Sequence, residues 1–117
     1  MNADEMKLRT KKFALRIMKL AESLPRSTSG RTLAPQIVRS GTSVAANYRS
    51  AGKARSKAEF IAKLGIAEEE ADETQFWLEL IIESGLIRDI LILPLLQESR
   101  ELTAIIAASR IAASRKK

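Results

Sequence analysis

Residues 56–86, SKAEFIAKLGIAEEEADETQFWLELIIESGL, decide the fold. Phe60, Leu64, Ala67, Ala71, Thr74, Leu78, Ile81 and Gly85 recur at alternating spacings of four and three, which places them on one side of a helix. Ser56 with Glu59 three residues later forms a capping box: each side chain can satisfy a free backbone N–H of the first turn. Gly85 supplies the stop, because glycine tolerates the left-handed conformation that closes a last turn. The spacing predicts a bundle helix over 57–84. Ile66, Phe76, Trp77 and Leu80 lie off its seam, so it is apolar on more than one side, as for an element with several neighbours.

The remaining helices follow outward from this one. Upstream, the pattern predicts a helix over 4–24 with a seam of Met6, Thr10, Phe13, Ile17, Leu20 and Leu24, ended by Pro25 because a residue before proline is driven out of the α region. Leu8, Leu15 and Met18 fall on its far side among Lys11, Lys12 and Lys19. A monomeric bundle leaves them wet, so together with Trp77 they are candidates for a subunit interface. A second helix is expected over 31–49 with Ser29 as cap, a thin stripe of Leu33, Ile37, Val44 and Tyr48, and a break near Gly52. Downstream, Pro94 suits the first turn of a fourth helix over 94–113, with Leu95, Leu102, Ile106 and Ala113 on one face. The basic end from Ser114 to Lys117 is expected to fray. Four helices joined by short loops predict one all-α domain over 1–117, an up-and-down antiparallel four-helix bundle.

Beside the apolar stripe of the second helix runs a polar one: Gln36, Ser40, Ser43 and Asn47. On the helical wheel Ser40 lies within about 20° of the apolar centre and Asn47 about 40° away, so both should be partly buried. A buried hydroxyl or amide without a partner costs about 1–3 kcal/mol. The stripe therefore suits either a hydrogen-bonded set that fixes helix register or a polar pore lining.

At 117 residues with 45% apolar composition, the chain can bury a single core. With no cysteine and no histidine, it has no disulfide, no thiolate nucleophile, no histidine base and no ordinary zinc site. A di-metal carboxylate centre would draw on Glu-x-x-His motifs that this chain lacks. No cofactor, metal, catalytic residue or small-molecule substrate is expected, and the reading is non-enzymatic. The N-terminus has no apolar signal segment, and no run approaches the roughly 18 apolar residues of a membrane span, which predicts a soluble cytoplasmic protein without membrane contact.

The net charge of +6 is unevenly spread: residues 1–57 carry +10, residues 58–101 carry −8 and residues 102–117 carry +4. Opposite blocks suit attraction between helices or subunits as well as an external polyanion. Arg49, Lys53, Arg55 and Lys57 sit in or beside the loop that enters the helix at residue 57, and with Arg39 they are candidates for RNA or anion contact. The spacing is not that of a phosphate-binding GxxxxGK[ST] loop.

Taken together, LPRSTSGRTLAPQIVRSGTSVAANYRSAGKARSKAEFIAKLGIAEEEADETQFWLELIIESGLI, residues 24–87, resembles a family of bacterial four-helix bundle proteins encoded in intervening sequences of 23S ribosomal RNA genes. Leu24-Pro25, Gln36, Arg39-Ser40, Ser43, Asn47, Gly52, Arg55-Ser56, Glu59-Phe60 and Gly85-Leu86 match the family pattern. NYRSAG stands where the family usually has NIAEG, and EEEADET where it has a GS-ELE stretch, which suggests a subgroup. The resemblance implies an up-and-down bundle that assembles into a homo-oligomer, with homopentamer rings known among relatives, and an association with ribosomal RNA inferred from gene position. The expected function is thus a small oligomeric structural or interaction protein, the alternative an RNA-binding protein using the basic loop.

Overall fold

In a computed structural model, which describes residues 1–116, the chain forms four helices: α1 (Ala3–Glu22), α2 (Thr28–Ala51), α3 (Lys57–Ser84) and α4 (Asp89–Arg115). Consecutive helices pack side by side in an up-and-down antiparallel bundle of 50 × 21 × 19 Å. The seam that would close the bundle between α1 and α4 is the most sparsely packed of the four.

Three of the helix starts are written in side chains. Asn2, Ser27 and Ser56 each accept a hydrogen bond from the backbone N–H three residues on, at 2.8, 3.1 and 3.0 Å. Ser27 caps α2 in place of the expected Ser29. The helix therefore begins at Thr28 rather than Arg31, and it runs on to Ala51 because that alanine is buried. α1 stops at Glu22, short of the expected Leu24: the Ser23 hydroxyl and backbone N–H both donate to the Leu20 carbonyl and tighten the last turn, and Leu24 is buried from the loop.

The largest departure is at α4, which begins at Asp89 rather than at Pro94. Pro94 cannot donate to the Ile90 carbonyl one turn back, but Ile90 and Pro94 share an exposed face where water can serve that carbonyl. Arg88 makes no side-chain cap, so nothing in the residue types marks the true start. At the other end α4 continues to Arg115, so Ser114 and Arg115, expected to fray, are helical; Lys117 lies outside the described residues. Gly85 closes α3 at φ 72°, the left-handed conformation for which its residue type was read.

The core takes Phe13 and Ile17 from α1, Ile37 and Val44 from α2, Leu64, Leu78 and Ile81 from α3, and Ile92, Leu102 and Ile106 from α4. Small side chains let the axes approach: a Cβ on Gly41 would lie 2.8 Å from the Ile17 Cγ2, so α1 and α2 meet there at backbone distance. Three residues expected in the seams are only partly buried, Tyr48 on α2, Phe60 on α3 and Ala113 on α4, and Gly85 at the end of the α3 seam is exposed. The three partly buried ones lie toward the end of the bundle that holds the α2–α3 loop, where helix ends leave one side open.

Candidate interaction surfaces

The four residues of the polar stripe on α2 do not act as one set. Gln36 is exposed. Ser40 is fully buried and shares a 2.9 Å hydrogen bond with Thr74 of α3, while the Thr74 hydroxyl lies 2.7 Å from the Glu70 carbonyl. A hydroxyl has one proton, and the shorter contact claims that of Thr74, so Ser40 donates to the Thr74 Oγ1. Ser43 and Asn47 stay within α2, the Asn47 amide donating to the Ser43 carbonyl and hydroxyl at 2.9 and 3.0 Å. No buried side-chain polar atom among the described residues lacks a partner. The Ser40–Thr74 bond is the one link of the stripe that joins two helices through the core.

Ion pairs strap neighbouring helices. Arg39 of α2 holds both Glu70, at 2.9 Å, and Glu73 of α3. Its guanidinium is thus engaged inside the molecule, unlike the rest of the expected anion-contact set. The carboxylate of Glu73 also accepts the Trp77 indole N–H at 2.9 Å. Arg9 of α1 reaches α4, donating to Glu98 at 2.6 and 2.7 Å and to Glu101 at 2.9 Å. Its hydrogen bond to Glu98 above all raises the Arg9 pKa, and Gln97 followed by Arg9 lowers that of Glu101. Arg110 of α4 holds Glu68 of α3 at 2.6 Å, which raises the arginine's pKa. Much of the acidic block on α3 is therefore spent on cations of its neighbours.

Arg49, Lys53, Arg55 and Lys57 are exposed, and none makes an ion pair among the described residues. The fold adds cations that the chain order had separated from them. Lys7 of α1 lies along Gly52, so that a Cβ there would meet its Cε at 3.4 Å. Lys7 and Lys11 of α1 line one groove with Arg49 of α2 and Lys53 of the loop that follows it. On the other side of the loop, Lys116 and Lys57 line a second groove. Among the described residues neither groove has a carboxylate in its wall. The basic character belongs to one end of the bundle, assembled from α1, α2, α3 and the end of α4.

The far side of α1 is open to solvent: Leu8 is 71% exposed, Leu15 57% and Met18 41%. Trp77, grouped with them in the sequence, sits on the diagonal helix α3 and is half buried, its ring edge-on to Phe76 at 5.1 Å. Phe76 is the exposed partner of that pair, and with Ile66, Leu80, Glu69, Asp72 and Glu83 it forms an outer stripe on α3 that is both apolar and acidic. Ile90, Leu91 and Leu93 at the start of α4 are exposed as well. The reading of 94–113 as the fourth helix hid them; an apolar run directly after a glycine stop was the available signal. Among the described residues no group of three or more acidic side chains is placed to hold a metal ion, and no helix is long and apolar enough to cross a membrane.

A family model described as 23S rRNA-intervening sequence protein matches residues 5–108. Among solved structures, the chain is similar to a protein with unknown function from the S23 ribosomal protein family of Bacteroides thetaiotaomicron. The two are 36% identical and superpose with a TM-score of 0.87 over 94% of this chain and 98% of that one. No curated protein matches the chain.

Proposed function

The chain belongs to the 23S rRNA-intervening sequence protein family, and on that premise we propose that it is a non-enzymatic homo-oligomer whose work is done by its outer faces. The exposed row of Leu8, Leu15 and Met18 carries this reading. Single exposed apolar side chains are ordinary on a monomer, but three on one helix face, set among lysines, make a patch of the kind that marks a contact surface.

The complementary surface is on the same molecule. The α1 row is interleaved with Lys11, Lys12 and Lys19, whereas the outer stripe of α3 sets Ile66, Phe76 and Leu80 among Glu69, Asp72 and Glu83. Two different patches that fit each other make a heterologous contact, and repetition of such a contact closes into a ring when the rotation permits. This supports a ring of subunits, α1 of one copy on α3 of the next, in keeping with the pentamers implied by the resemblance. Native mass spectrometry at micromolar concentration tests it: a single closed oligomer is expected, and a monomer would overturn the reading.

One observation favours a second reading, contact with a nucleic acid. Arg49, Lys53, Arg55 and Lys57 project from one end of the bundle without acidic partners. Phosphate contacts of this kind weaken steeply with salt. Titration of a fluorescent RNA at two salt concentrations tests the reading, and a flat response would remove it.

A further inference from the structure

The groove between the start of α3 and the end of α4 has a chemistry that charge alone does not describe. Its volume is 640 Å³, within the range of small-ligand sites. Phe60 forms part of its wall, half buried against the core and still open to the groove. Lys57 and Lys116 line the same groove, Ser56 and Ser109 add hydroxyls, and the rest of the wall is alanine and glycine, which leaves room for a flat group. Among the described residues no lining residue is acidic.

We propose that this groove binds a nucleotide, its base stacked on Phe60 and its phosphate held by Lys57 and Lys116. A ring beside cations in a concave, carboxylate-free wall is the combination by which single strands are held, since every base offers a flat face and every nucleotide a phosphate. Neither face assigned to subunit contact, the α1 row or the outer stripe of α3, lines the groove. Lys53 and Arg55 in the adjoining loop extend the positive surface to neighbouring phosphates. The proposal rests on the nucleic-acid reading, because a free mononucleotide and a nucleotide unit of a strand present the same chemistry.

Fluorescence anisotropy with 5′-labelled decaadenylate, on the full chain as purified, tests it. Phe60→Leu should weaken binding about tenfold with the salt slope unchanged, because stacking and not charge is lost. Phe60→Tyr should restore it. Lys57→Ala with Lys116→Ala should reduce the salt slope by about 0.7, the value for one lost phosphate contact on a single strand. Thermal melts of the variants that match the wild type establish that the fold is retained. Competition by AMP supports a site for the single unit, and competition by unlabelled decaadenylate alone supports a site for the strand. Displacement by inorganic phosphate as readily as by AMP would overturn the stacking role. Binding that ignores Phe60, Lys57 and Lys116 but is lost in Arg49→Ala with Lys53→Ala would overturn this groove and leave the nucleic-acid reading standing. Absence of any binding by the wild type would overturn both.

Discussion

At the scale of single residues, the core holds one polar link whose worth can be measured. Ser40 and Thr74 join α2 to α3 through a 2.9 Å hydrogen bond in a fully buried setting. In Ser40→Ala, Thr74 keeps its bond to the Glu70 carbonyl, so the expected loss is about 1 kcal/mol. In Thr74→Val, the Ser40 hydroxyl is left with the Ile37 carbonyl at 3.4 Å, a poor acceptor position, and the loss should be about 2 kcal/mol. The double variant should cost less than the sum, since neither hydroxyl then remains to be satisfied; chemical denaturation of all four proteins gives the coupling. Gly85 makes a second residue-scale prediction. A Cβ there meets nothing within 4 Å, so Gly85→Ala is sterically free, but the φ of 72° still penalises it. The loss should be about 1 kcal/mol in a thermal or denaturant midpoint.

At the scale of elements, the weak point is α1 against α4. Their sparse seam is bridged by Arg9, which grips Glu98 and Glu101. The Glu101 carboxyl titrates below its ordinary value because Gln97 and Arg9 favour its charged form. A depressed carboxylate contributes stability above its unfolded pKa and loses it as pH falls through the folded value. The α1–α4 strap is therefore complete at neutral pH and weakens as the pH drops below the ordinary carboxylate range. The stability difference between wild type and Arg9→Leu should shrink on acidification, and amide exchange in α1 should quicken before that in α2 or α3. Equal exchange in all helices at acid pH would show that the seam does not open first.

At the scale of the whole molecule, the two charge blocks turn out to have different fates. Arg39, Arg9 and Arg110 consume carboxylates from neighbouring helices, while the cations gathered at the end of the bundle around residues 49–57 make no ion pair among the described residues. If α1 of one copy sits on α3 of the next, Leu15→Glu should dissociate the oligomer. The isolated subunit should still unfold cooperatively, at a midpoint below that of the assembled wild type, because an exposed substitution changes the fold itself by about 0.5 kcal/mol or less while the stabilisation from assembly is lost. Light scattering and a thermal melt of the same variant separate these effects. A Leu15→Glu protein that stays assembled would move the interface elsewhere, with Ile90, Leu91 and Leu93 as the next surface to substitute.

What the sequence determined by itself was everything that depends on neighbours along the chain. The four-and-three spacing of α3, its Ser56 cap and its glycine stop are local physics, and so the bundle and the register of its long helix were legible, although the Glu59 carboxylate does not complete the expected capping box. The apolar row of Leu8, Leu15 and Met18 was legible for the same reason. The start of α4 was not, because Pro94 is a strong local signal and the exposure that lets a helix run through it is a tertiary property. The partners of charged and polar groups were equally hidden. Only the packed helices decide that Arg39 is spent on Glu70 and Glu73, that Ser40 meets Thr74, and that Lys116 joins Lys57 and Phe60 in one groove, since those pairings cross 31 to 59 positions of chain. Such distances are bridged by the fold, and periodicity carries no record of them.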